Sequence, residues 1–175
     1  MAGPDGFDGV QVPGAFDRFY REEYRRVVAV IYGLTGSRWV AEDLAQDAFL
    51  RVHRDWERVQ GMESPSGWVR RIAINLARSR FRRLGAEAAA LLRLGPPDGV
   101  TMSPLSSEFD DFWREVRRLP DRQAQVLVLR YIDDLAVDQI GSVLGIAEGT
   151  VRALLHQGRE RLRRQLEAKG LTDVL

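Results

Sequence analysis

Residues 137–156 read VDQIGSVLGIAEGTVRALLH. Two helices that cross through a tight turn need a small residue where their backbones meet, a glycine in the turn, and apolar side chains that lock the crossing. Gly141, Gly145 and the apolar set Ile140, Leu144, Ile146, Val151 and Leu154 supply these in order. The stretch predicts a helix-turn-helix whose second helix begins near Glu148 and enters a DNA major groove. Glu148, Gly149, Arg152, Ala153, His156 and Gln157 would face the groove. Arg152 is able to give two hydrogen bonds to a guanine edge, and Thr150 to meet the backbone or a thymine methyl. Arg159 and Arg163, further along, are placed for phosphates, whereas Arg161 and Arg164 read as solvated surface.

The helical period continues on both sides. Phe112, Val116 and Leu119, then Val126, Leu127, Leu129 and Tyr131, precede the crossing, with Pro120 between them. Upstream, residues 15–84 show the same spacing in Phe16, Phe19 and Tyr20, in Val27, Val28, Ile31 and Leu34, and in Leu44, Ala48, Phe49 and Val52. That gives three or four helices, punctuated by Gly33, Gly36 and the Gly61 to Gly67 stretch. Residues 85–108 open with an Ala/Leu run, able to extend the preceding helix, and become GPPDG and a Ser/Pro-rich stretch, which reads as a linker. With no strand alternation, the expected class is all-α: two small helical domains, 15–84 and 109–168, joined by a flexible linker over 85–108. Met1 to Gly14 and the tail after Ala168 are expected to be mobile ends.

The 175 residues contain no cysteine and two histidines, His53 and His156, far apart. Disulfides, thiolate metal sites and a cysteine nucleophile are excluded, and material for a zinc site or a Ser-His triad is scarce. No acid/base pair with a nucleophile can be assembled, so no catalytic residue, metal or cofactor is expected. No apolar run approaches a bilayer span and the N-terminus lacks a secretory pattern, so a cytoplasmic protein without membrane insertion is expected. The net charge is only +1. Segment by segment it is uneven: Ser66 to Leu84 holds six arginines (Arg70, Arg71, Arg78, Arg80, Arg82 and Arg83) and no acid, and Glu148 to Lys169 holds six bases against three acids. Two separate basic stretches in a neutral chain suggest two contacts with a polyanion.

With the helix-turn-helix, LPDRQAQVLVLRY (119–131) resembles region four of bacterial RNA polymerase sigma factors. AEDLAQDAFLRV (41–52) is similar to the polymerase-binding helix of their region two, and WVRRIAINLARSRFRR (68–83) to the helix that melts and reads the minus-ten element. Both motifs in this order, with no room for a region three, resemble the extracytoplasmic-function (ECF) group over residues 15 to 168. The resemblance implies a non-enzymatic partner of core RNA polymerase and promoter DNA, contacting the clamp helices of the largest subunit and the flap region. It implies polymerase binding by Asp43, Gln46, Asp47 and Leu50. Minus-ten recognition would fall to Trp68, Arg71, Asn75, Arg78, Ser79, Arg82 and Arg83, and minus-thirty-five recognition to the groove-facing residues of the second domain.

The residues read alone agree in part. Leu44, Ala48 and Val52 form an inward face, leaving Asp43, Gln46, Asp47 and Leu50 on others. Arginines after Pro65 suit phosphates of single-stranded DNA, and Trp68 is either a stacking platform or core. Ile72, Leu76 and Ser79 compete for the inward side. The loop VQGMES (59–64) matches the place where ECF proteins capture a flipped promoter base. Ser79 stands where the family often has an acid, and Ala153-Leu154 where it has Ser-Arg, so no known minus-thirty-five sequence transfers. Whether an anti-sigma factor acts as a further partner is open from the sequence. A dimeric stand-alone helix-turn-helix regulator and a protein-only adaptor are the alternatives from other classes.

Overall fold

The computed structural model describes residues 14–92 and 108–169. They form α1 (Ala15–Thr35), α2 (Arg38–Arg54), the single turn α3 (Trp56–Val59), α4 (Pro65–Leu92), α5 (Glu108–Arg117), α6 (Asp121–Tyr131), α7 (Val137–Leu144) and α8 (Glu148–Glu167). The structure is all-α among these residues. The Ala/Leu run after Leu84 does extend α4, to Leu92. The expected N-terminal end up to Pro13, the linker from residue 93 to 107, and the tail from Gly170 lie outside the described residues.

Local chemistry sets the helix boundaries. Gly36 takes the left-handed conformation (φ 69°) that ends α1, its N–H donating to Tyr32 O at 2.7 Å. Ser37 caps α2, its hydroxyl accepting from the Val40 N–H. At α7, the Ala136 N–H donates to Gln139 Oε1 at 2.9 Å, and Gly145 (φ 66°) closes the helix.

α1, α2 and α4 pack into one bundle. Its core is Val27, Val30 and Ile31 against Ala41, Leu44, Ala48, Phe49 and Val52, with Val69, Ala73, Ile74 and Ala77 from α4. The inward side of α4 is therefore not the expected Ile72, Leu76 and Ser79, which are half-buried. Small Ala73 and Ala77 let the helix approach closely, and the larger Ile72 and Leu76 lie at the margin. Phe16, Phe19, Tyr20 and Tyr24 close one end of the bundle on Phe49, His53 and Trp56, the His53 ring lying edge-on to Phe16 at 4.6 Å. His53 thus serves packing.

In the second domain α6 is the centre, with Val126, Leu127, Val128 and Leu129 all buried. α8 lies against it through Leu155, Gly158 and Leu162, and α5 contributes Trp113 and Val116. Glu115 is buried yet ionised: burial pushes its carboxyl pKa up, but hydrogen bonds from Lys169 and Arg118 (2.7 Å) outweigh this and hold it below its ordinary value of 4.5. Lys169, the chain's only lysine, thereby ties the end of α8 to α5.

The two domains do not merely share a chain; they pack together, α1 on α5 and α6, and α4 on α7. Gly33 permits this approach, since a Cβ there would lie 2.5 Å from Ile132 Cδ1 and 3.3 Å from Val128. Arg70 enters the contact as a buried ion. Of the six arginines in Ser66 to Leu84 that suggested a polyanion contact, Arg70 is therefore not available for one, being 3% exposed.

Gly141 is the sharpest steric requirement of the helix-turn-helix, since a Cβ would stand 2.8 Å from the Ile146 carbonyl oxygen, a backbone atom. Gly141→Ala is expected to lower stability by about 1–3 kcal/mol, as overpacking does, despite its gain of about 1 kcal/mol in helix propensity; urea unfolding measures it. Glu115 contributes stability that is complete above its unfolded pKa of 4.5 and lost as pH falls through the lower folded value. Glu115→Gln should therefore cost on the order of 1 kcal/mol near pH 7, with the difference from the parent shrinking in acid, checked by unfolding curves across pH.

Candidate nucleic-acid and partner interfaces

The residues of α8 expected to face a groove lie on one exposed side of the helix. Glu148, Gly149, Thr150, Arg152, Ala153, His156 and Gln157 are all exposed, and Val151, Leu155 and Gly158 hold the opposite side. Leu154 is half-buried, with Leu155 the more deeply seated. Arg152 pairs with Glu148 at 2.7 Å, one turn earlier. Such an exposed pair is worth little, so a guanine edge can displace it at small cost. Gln157 accepts from Gln123 Nε2 at 3.4 Å, which orients its amide. Arg159 donates from Nε to the Tyr131 hydroxyl at 2.7 Å and lies over that ring. Tyr131, half-exposed at the end of α6, was not legible as a site residue; an aromatic at a periodic position reads as core. Arg163 is bracketed by Glu160 (3.2 Å) and Glu167 (2.6 Å), which hold its pKa up. Two carboxylates already answer its charge, so it offers a phosphate less than Arg159 does. Arg161 is exposed, as is Arg164, 4.0 Å from Glu160.

On α4, Arg71, Asn75, Arg78 and Arg82 recur at four, three and four residues and line one side of the helix. Asn75, Arg78, Arg82 and Arg83 are exposed, and Ser79 is half-buried, accepting from Arg82 Nη2 at 3.3 Å. Trp68 is half-buried with the Arg58 and Arg71 guanidiniums 5.6 and 5.7 Å from its ring, so it is neither wholly core nor an open platform. In the loop 59–64, Val59 is fully buried at the end of α3; Gln60, Gly61, Glu63 and Ser64 are exposed, and Met62 is half-buried. Any base-capturing role falls to residues 60–64 alone. Arg80 turns away to α2, lying 3.8 Å from Asp43 and 5.8 Å from the exposed Trp39 ring.

On α2, Asp43, Gln46, Asp47 and Leu50 form a single stripe at i, i+3, i+4 and i+7. Gln46 and Asp47 are exposed, Asp43 is half-buried beside Arg80, and Leu50 is 67% exposed. A leucine left in water next to carboxylates suits a partner that is apolar and basic at once.

Residues 19–87 match Sigma-70 region 2, and residues 109–162 match Sigma-70 region 4. Over 158 residues the chain is 34% identical to the ECF RNA polymerase sigma factor SigW of Bacillus subtilis, spanning 81% of this chain and 83% of that protein. The chain belongs to the ECF sigma factors. It is 32% identical to the ECF RNA polymerase sigma factor SigE of Mycolicibacterium smegmatis over 159 residues, or 85% of this sigma factor and 60% of that one. The fold is shared with the sigma factor RpoE of Bartonella quintana, solved in complex with the anti-sigma factor NepR, at a TM-score of 0.72 and 21% identity over 87% of this chain and 96% of that one. As a sigma factor it directs RNA polymerase to promoters, a non-catalytic role in transcription initiation. Among the described residues no helix is long and apolar enough to cross a membrane.

Proposed function

We propose that this sigma factor docks on core polymerase through the α2 stripe, reads the minus-thirty-five element with α8, and reads and helps open the minus-ten element with α4 and the loop 60–64. The observation that carries this is the α2 stripe itself: a 67% exposed leucine flanked by Asp47 and Gln46 on a helix whose other face is core. Burial of Leu50 supplies apolar affinity, and the carboxylates choose a basic partner. The partner in this proposal is the clamp helices of the largest subunit, with the flap region holding the second domain, in the cytoplasm. The promoter duplex is gripped by Arg159 through phosphate and read by Arg152 through base edges. Arg78, Arg82 and Arg83 track the opened strand. The sigma factor supplies no reacting group; bond formation belongs to the polymerase. Each contact is weak alone, and polymerase makes them act together by fixing both domains at one spacing. An anti-sigma factor, as a further partner, would have to cover the α2 stripe.

Asp47→Arg is expected to abolish co-elution with core polymerase while leaving helix content unchanged, because Asp47 touches nothing in the core. Retained co-elution would reject the α2 surface, and a dimeric chain that ignores polymerase would favour the stand-alone regulator. On holoenzyme, Arg152→Ala should relax base preference at one minus-thirty-five position by about 1–3 kcal/mol. Arg159→Ala should instead weaken all sequences alike and reduce the salt slope by about one. Competition binding at several salt concentrations separates the two.

A further inference from the structure

Between α4 and the second domain lies a cleft of about 240 Å³ whose lining is electrostatically one-sided. Arg71, Asn75 and Arg78 line it from α4, Arg122 and Gln125 from α6, and the end of α7 up to Gly145 supplies apolar surface. Three guanidiniums thus share one hollow, and no carboxylate lines it. Among the described residues none of the three has an ion pair. Arg71 donates from Nε to Val143 O at 3.0 Å and from Nη2 to Ser142 O, and Arg122 donates from Nη1 to Gln125 Oε1 at 3.3 Å. Arg78 makes no bond to a described residue. Arginines elsewhere are answered from within: Arg152 has Glu148 at 2.7 Å, Arg130 has Asp134 at 3.9 Å, and the larger cleft at Trp68 includes Glu63 and Asp138 in its lining.

The walls are set before anything binds. Buried Arg70, next to Arg71 on α4, donates to both carboxylate oxygens of Asp133, in the turn between α6 and α7: Nη2 to Oδ1 at 3.0 Å and Nε to Oδ2. That pair holds α4 against the second domain, so the guanidiniums of the cleft cannot simply spread apart. Arg71 answers two carbonyls at the C-terminal end of α7, which would otherwise present partial negative charge to the cleft. What remains is the positive charge of Arg78 and Arg122 beside the amides of Asn75 and Gln125, the last only 5% exposed. Like charges gathered without a counter-ion repel, and a multiply charged anion removes that cost. Guanidinium forks fit the oxygens of a phosphoryl group. Drug-sized ligands need about 300–1,000 Å³, so this smaller cleft suits a group the size of a diphosphate, with any attached nucleoside left outside.

We propose that this cleft is a binding site for a small phosphate-type anion, best fitted by a diphosphate group, held between Arg78 of the first domain and Arg122 of the second. Arg122 and Gln125 have no part in the polymerase and promoter contacts assigned above, so the site does not rest on that reading. A diphosphate bound there adds an ion-paired link between the two domains. Free inorganic pyrophosphate and the terminal groups of a nucleotide offer the same chemistry to the cleft.

The test titrates the full chain with inorganic pyrophosphate by calorimetry at constant ionic strength, because salt screens the weak attraction of any exposed arginine. Saturable binding at one site is expected, weakened about tenfold by Arg122→Gln, the loss of one charge-assisted contact, and restored in part by Arg122→Lys. Arg161→Gln removes the same charge from an exposed position that does not line the cleft and should match the parent. Thermal unfolding gives a second reading: pyrophosphate should raise the Tm of the parent and of Arg161→Gln more than that of Arg122→Gln, with equal helix content in all three. No saturable binding, or an equal loss in Arg122→Gln and Arg161→Gln, overturns the site. Adenosine diphosphate in place of pyrophosphate tells the two sources apart: tighter Arg122-dependent binding assigns the cleft to a nucleotide, equal or weaker binding to the inorganic anion. Arg122-dependent binding of a mixed-sequence single-stranded oligodeoxynucleotide, with none of pyrophosphate, overturns the proposal in favour of a strand phosphodiester.

Discussion

A guanidinium withdrawn almost wholly from water stays charged only if anions and carbonyls replace its hydration, and Arg70 draws these from three places: α4 itself, α1, and the turn before α7. Burial by itself would lower its pKa, but Asp133 and Glu23 more than offset this and hold the guanidinium above its ordinary value. Such a pair, weighed against apolar side chains of equal volume, contributes little net stability; losing one partner costs about 3–5 kcal/mol, because the other is left charged and dry. The consequence is geometric. Two domains whose apolar surfaces could slide are given one register, fixed by Asp133, and Gly33 lets α1 meet α6 closely enough for that register to be reached.

The same constraint divides the arginines into those spent inside the molecule and those left for partners. Arg70 answers carboxylates, Arg71 the carbonyl end of α7, Arg80 the Asp43 and Trp39 side of α2, and Arg163 two glutamates on its own helix. Arg78, Arg82, Arg83 and Arg152 stay exposed. A count of basic residues along α4 therefore overstates the field that a nucleic acid meets, and the excess sits where the two domains touch. Arginine serves both purposes because its planar fork fits carboxylate, carbonyl and phosphate alike.

Much of the architecture was legible beforehand because it rests on local rules. The crossing of α7 and α8 follows from Gly141, Gly145 and their apolar neighbours, which only one compact geometry satisfies. The α2 stripe follows from Leu44, Ala48 and Val52, since burying those three leaves Asp47 and Leu50 outside. On α4 the periodicity was ambiguous: Ile72 and Leu76 repeat at helical spacing as Val69, Ala73 and Ala77 do, and the tertiary packing on α1 and α2 buried the latter set together with Ile74. Val59 was grouped with a loop, although it ends α3 inside the core.

The amino-acid sequence by itself determined the all-α class, the helix-turn-helix, the acidic-apolar stripe and the location of the basic stretches, because each depends on residues within a few turns of one another. Only the tertiary structure decided that Arg70 is an internal counter-ion, that Tyr131 carries Arg159, and that α4 faces α7. Those outcomes join residues 28 to 72 positions apart. Charge pairing over such separations leaves no period in the sequence; an arginine reads the same whether its partner will be a phosphate in water or an aspartate in another domain.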